Sequence, residues 1–122
     1  MQLVKRFANG NGGDKMQIIV DDYFKAWNAS DLEALGDLMH EDVSLRDWLT
    51  EVDGRDKVLE VNAGIFEQFP DANIQVIAIA ISQEAKVMAQ LKIYLTASEV
   101  LDVVDVFEIS ANKVQSITAY KV

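Results

Sequence analysis

A chain of 122 residues, half of them hydrophobic and a quarter charged, with a single proline, has the balance of one compact domain and is too short to bury two cores. A net charge of −9, with no basic cluster beyond Lys5-Arg6, argues against nucleic acid or an anionic membrane surface as a partner. There is no cysteine and His40 is the only histidine, which removes disulfides, cysteine zinc sites, H-E-x-x-H hydrolases and serine-histidine-aspartate triads. Carboxylates must then carry any acid–base work. No segment has the apolar length of a membrane span, and the start Met-Gln-Leu-Val-Lys-Arg lacks the apolar stretch of a secretory signal, so the expected location is the cytoplasm.

In chain order, Asn9-Gly-Asn-Gly-Gly13 reads as flexible and sets residues 1–14 apart as an arm, with a single domain over 15–122. Met16, Ile19, Val20, Tyr23, Phe24 and Trp27 recur at helical spacing and predict a first helix with one apolar face. Ser30 followed by Glu33 is a capping-box signature, predicting a second helix from Asp31 to about His40 that buries Leu32, Leu35, Leu38 and Met39. His40 then reads as a helix-terminal histidine favoured by the dipole. Val43, Leu45 and Asp47 alternate with Ser44, Arg46 and Trp48 as in a short strand. Asp53-Gly54 marks a turn, and Val58, Val61, Ile65, Phe66 and Phe69 predict a third helix that stops before Pro70.

The C-terminal half reads as four strands, Asn73 to Ser82, Lys86 to Ala97, Glu99 to Ser110 and Lys113 to Val122, joined by turns short enough to require antiparallel pairing. The predicted class is α+β, with three helices covering one face of a curved antiparallel sheet. Isoleucines 74, 77, 79 and 81 fall on both faces of their strand. Either a homodimer through the outer sheet face or a strand buried at the sheet centre accounts for them.

Asp105 breaks the pattern of its strand. It shares a face with Leu101, Val103, Phe107 and Ile109, whereas Asp102 and Glu108 lie on the other. An ionised carboxylate is costly to bury without a partner, so the group is expected to stay protonated and to act as a hydrogen-bond donor. The plainer alternative is a buried aspartate bonded to a backbone group or to a core tyrosine. Tyr23 lies on the apolar face of the first helix and Asp47 shares its face with aliphatics; each also has an ordinary reading, as core tyrosine and as solvated strand residue.

The order of elements, with Tyr23-Phe-Lys-Ala-Trp-Asn-Ala-Ser-Asp-Leu-Glu33 and Val104-Asp-Val-Phe107, resembles the nuclear transport factor 2-like superfamily, including its SnoaL-like members, over residues 16–122. Within that superfamily the chain looks most like the Δ5-3-ketosteroid isomerases. The resemblance implies a cone-shaped fold whose mouth holds a small apolar ligand, with neither metal nor cofactor. It also implies a catalytic set of Asp47 as base with Tyr23 and a protonated Asp105 as oxyanion donors. The lining is expected to draw on Trp27, Trp48, Phe66, Phe69, Phe107 and Tyr120, any of which could instead be plain core. One departure is local: the isomerase base is followed by proline, whereas Arg46 and Trp48 flank Asp47, and an Arg46–Asp47 ion pair would blunt the base. The fold also hosts polyketide cyclases, hydratases and non-catalytic binding or dimerisation modules, which stand as alternatives to an isomerase.

Overall fold

The computed structural model describes residues 11–122, so residues 1–10 of the predicted arm lie outside the described residues. Its remaining four are helical, because α1 runs Asn11–Asn28 and not from Met16. The expected face of α1 is buried: Ile19, Val20, Tyr23, Phe24 and Trp27 all belong to the core. Ser30 ends the helix in the left-handed region (φ 54°), its N–H donating to the Trp27 carbonyl at 3.0 Å while the Asp31 N–H reaches the Ala26 carbonyl at 2.9 Å. Ser30 therefore closes α1, and the cap of α2 (Leu32–Asp37) is Asp31, whose carboxylate accepts from the Ala34 N–H. The second helix is correspondingly shorter than predicted. Met39 and His40 already belong to β1 (Met39–Arg46), where the His40 imidazole bonds the Ser110 carbonyl instead of resting on a helix dipole.

After β1 come β2 (Glu51–Asp53) and α3 (Arg55–Gln68), the latter capped by Gly54 at φ 98°, a conformation that favours glycine. Four strands follow: β3 (Asn73–Ile81), β4 (Lys86–Tyr94), β5 (Val100–Ser110) and β6 (Lys113–Lys121). Each lies within three residues of its predicted bounds. Together the strands form one sheet in the order β2-β1-β6-β5-β4-β3, antiparallel throughout except where β1 lies parallel to β6. That parallel pair, and the short β2, carry no signal in a local pattern of residues.

Bulges bend this sheet. One falls between Val76 and Ala78, and it resolves the isoleucines: Ile74 pairs with Ile93 and Ile79 with Ala89, so both face inward although they differ in parity. Ile77 is the inserted residue and is 45% exposed. The bulge thus restores a one-sided apolar strand. The inner face of β4, β5 and β6, with Val87, Leu91, Val103, Phe107 and Ile117, is buried beneath the helices. Phe107 packs edge-on against Tyr23 and Phe24 at 5.1 and 5.6 Å, joining α1 to the sheet. At its C-terminal residue α1 is clipped to β3, where Asn28 both donates to and accepts from the backbone of Ile74. These two anchors fix where Tyr23 and Trp27 stand relative to β5.

Candidate functional site

The inner face is not filled evenly. In register, Phe107 is flanked by Val87 and Ile117, but Asp105 is flanked by Ala89 and Ala119. Small neighbours on both sides leave room over the acid. A cavity of about 310 Å³ opens there, walled by α1, α3 and the sheet, with Tyr23, Trp27, Asp47, Trp48, Asn62, Phe69 and Asp105 among its lining residues. Most of the remaining lining is aliphatic, including Leu45, Val61, Ile65, Ile74, Ile93, Leu101, Val103 and Ile117.

Asp105 is 7% exposed, and among the described residues no hydrogen bond reaches its carboxyl. Burial, and then the charge of Asp47, push its pKa up from the ordinary 3.8 to about 7. The Tyr23 hydroxyl is likewise pushed upward by burial and then by Asp105, so it stays protonated. Tyr23 and Trp27 stand one helical turn apart on α1 and face the same space.

Asp47 sits just past β1, in the turn leading to β2. Its Oδ1 accepts the backbone N–H groups of Leu49 and Thr50, each at 2.8 Å, and its own N–H donates to the Thr50 carbonyl. The turn holds the carboxyl still through one oxygen; no described residue bonds the other. Arg46, one residue earlier, points to the opposite face of the strand and pairs with Glu51, its cross-strand neighbour. It does not cover Asp47. Trp48 and Leu49 are exposed on the rim of this turn, and the Lys121 ammonium rests 5.7 Å from the centre of the Trp48 ring.

Tyr23, Asp47 and Asp105 therefore meet in one cavity, as do Trp27, Trp48 and Phe69 of the expected lining. The other three lie elsewhere. Phe66 supports Trp27 from behind, edge-on at 5.0 Å, without lining the cavity. Phe107 is fully buried, because its cross-strand neighbours fill the space that the alanines leave beside Asp105. Tyr120 is on the outer face, paired with Val104 and 59% exposed, since β6 runs one residue out of phase with that expectation.

Asn62 is the buried polar lining residue that the sequence expectations did not include. It is 4% exposed on α3, accepts the Trp27 indole N–H at 3.0 Å, and donates to the Val58 carbonyl at 3.0 Å. The signal was present: between Val58 and Phe66 it stands on the apolar stripe of its helix, the same anomaly that singled out Asp105. Replacing Asn62 by alanine strands a buried indole N–H and is expected to cost about 1–3 kcal/mol. Urea unfolding of the variant checks this; an unchanged midpoint would mean that the indole does not depend on the bond.

Among the described residues, no cluster of histidine, cysteine and carboxylate side chains could hold a metal, and no helix is long and apolar enough to cross a membrane. A SnoaL-like domain matches residues 20–117. The chain belongs to the SnoaL-like family. No curated protein sequence matches it. Solved structures share its fold at low identity. A protein assigned provisionally as a ketosteroid isomerase, from Kribbella flavida, is 19% identical with a TM-score of 0.77, over 89% of this chain and 78% of that one. A provisionally assigned SnoaL-like polyketide cyclase from Jannaschia is 14% identical with a TM-score of 0.76, over 88% and 85%. A protein of unknown function with a cystatin-like fold, from Methylobium petroleophilum, is 13% identical with a TM-score of 0.80, over 88% and 76%. At such identities the likeness is one of fold, and chemistry within this SnoaL-like domain has to be argued from the cavity.

Proposed function

We propose that this SnoaL-like protein is a ketosteroid-isomerase-like enzyme that shifts a proton beside the carbonyl of a small apolar substrate. The observation that carries the reading is the pair of carboxyls on one cavity in unlike settings: Asp105 buried, with its pKa raised to about 7, and Asp47 at the rim, fixed by two backbone donors. Environments that separate two acids in this way assign the base and the donor, the division of labour known from ketosteroid isomerases. Asp47 takes the proton from the carbon next to the carbonyl, and the electron pair moves onto the carbonyl oxygen. Tyr23 and neutral Asp105 donate hydrogen bonds to that oxygen as it becomes an enolate. Asp47 then returns the proton to the far end of the conjugated system, so atoms and charge balance without a cofactor. Leu45, Ile65 and Phe69 supply the apolar walls that exclude water.

The test mixes the purified protein with a β,γ-unsaturated ketosteroid and follows the ultraviolet absorbance of the conjugated product. Turnover above buffer is expected; none would sink the isomerase and leave a binder.

The partner reading is a homodimer through the outer sheet face. That face carries the cross-strand pairs Met88–Val106 and Val104–Tyr120, with Lys92–Asp102 and Arg46–Glu51 ion pairs beside them. An apolar strip of this kind suits an isologous contact. Light scattering is expected to give twice the chain mass, and Val106→Glu to give one; a monomeric wild type would remove the proposal.

A further inference from the structure

The cavity has a charge character that the isomerase reading does not use. Its lining contains two carboxyls and no lysine, arginine or histidine. Arg46 is held outside by Glu51, and Lys121 stays at the rim on the outer ring of Trp48. An anionic ligand would meet two acids and no counter-charge within the lining, at the cost of leaving water unpaired there. A cation would meet the opposite: an Asp47 oxygen that no described residue bonds, and a buried Asp105 carboxyl that points into the cavity with no partner among the described residues. Trp27 lines the same space, and an aromatic face attracts an ammonium. Lys121 on Trp48 is an instance of that attraction at the rim.

We propose that this cavity binds a protonated aliphatic amine carried on a compact apolar skeleton, the ammonium seated between Asp47 and Asp105. The inference rests on the reading of this cavity as the functional site, but asks about charge and not about turnover. Below about pH 7 the empty site keeps a proton on Asp105, first because burial penalises its charge and then because of repulsion from Asp47. A monocation relieves that repulsion and expels the proton. The groups that face Asp105 are Tyr23 from α1 and Asp47 from the β1–β2 turn; α3 offers only the uncharged Asn62 and Gln68, β4 offers aliphatics, and β6 offers Lys121 at the mouth.

Three ligands with one skeleton separate the possibilities: 1-adamantanemethylamine, 1-adamantanemethanol and 1-adamantanecarboxylate, titrated calorimetrically into the wild type at pH 6 and pH 8. An aliphatic ammonium is charged at both values. The amine is expected to bind more tightly than the alcohol and the carboxylate not at all. With Asp105 titrating at about 7, the ionised fraction and hence the amine affinity rise about tenfold from pH 6 to pH 8, with proton release at pH 6 visible as a buffer-dependent heat. In Asp105→Asn the pH dependence of amine binding disappears. Equal binding of amine and alcohol, binding of the carboxylate, a pH-independent amine affinity in the wild type, or no binding by any of the three overturns the proposal. Failure here with ketosteroid turnover intact leaves the isomerase standing; an amine preference without turnover leaves an amine-binding protein.

Discussion

Asp47→Asn is expected to lower kcat for a β,γ-unsaturated ketosteroid by about 10²–10⁴-fold, the span that a positioned general base contributes. Asparagine keeps the side-chain oxygen that caps the Asp47–Thr50 turn, so the Leu49 and Thr50 N–H groups retain their acceptor and the fold is preserved. What is lost is the basicity of the free oxygen. Asp105→Asn behaves differently under the same reading: an amide is still a neutral donor to the enolate oxygen, so its loss is expected to be far smaller than that of Asp47→Asn. Asp105→Ala, which removes the donor, loses about 10²-fold or more. The opposite pattern, turnover that survives Asp47→Asn and disappears with Asp105→Asn, would assign acid–base work to Asp105 as in a cyclase or hydratase relative. Wild-type turnover unaffected by any of the three variants would remove these carboxyls from the chemistry.

The second large effect is on stability and follows from linkage. Asp105 has an ordinary pKa of 3.8 when free and about 7 in the fold, so the folded chain binds its proton more tightly than the unfolded chain. A raised pKa contributes stability that is complete below about pH 4 and is lost as pH climbs toward 7, after which the loss is constant. At about 1.4 kcal/mol per unit, a rise of about three units amounts to stability on the order of 4 kcal/mol, forfeited by neutral pH. Asparagine does not ionise. The stability gap between Asp105→Asn and wild type, read from urea midpoints at a series of pH values, is therefore expected to widen in favour of the variant between pH 4 and 7 and then to level off. Parallel curves would show that the carboxyl is not desolvated. The same titration gives the wild-type rate an alkaline limb near pH 7, as the donor is deprotonated, and the variant no such limb.

A buried aspartate that is bonded to no described residue and whose pKa is raised by burial belongs to the kind of group that a functional site uses. Its flanking by Ala89 and Ala119 makes the same point sterically, because larger residues there would fill the space and stabilise the core.

The residues that a local pattern could expose were those whose polarity contradicted their periodicity. Asp105 among alternating aliphatics and Tyr23 on a helical apolar face both sit where their spacing put them. Asn62 carries the same signal on α3, a polar residue on the stripe that holds Val58 and Phe66. Asp47 also shares a face with aliphatics in the sequence, but its role as base is implied only by a resemblance, and its position past the end of β1 instead of within it changes how it is held: by turn backbone, not by a strand ladder. Ser30 and Asp31 show the limit at element ends, where a capping-box motif competed with closure of the preceding helix and lost by one residue.

By itself, then, the sequence determined the α+β class, the three helices, the four long strands, and the presence of an acid on an apolar face. These depend on spacing along the chain, which is visible in one dimension. Only the tertiary structure decided that β1 lies parallel to β6, which brings Asp47 to the same cavity as Asp105, and that Arg46 turns away to Glu51. It also decided which aromatics line the space: Phe69 does, whereas Phe107 is walled in by Val87 and Ile117 and Tyr120 faces outward. Cross-strand neighbours and bulges govern these outcomes, and both arise from pairing between segments far apart in the chain, on which local periodicity is silent.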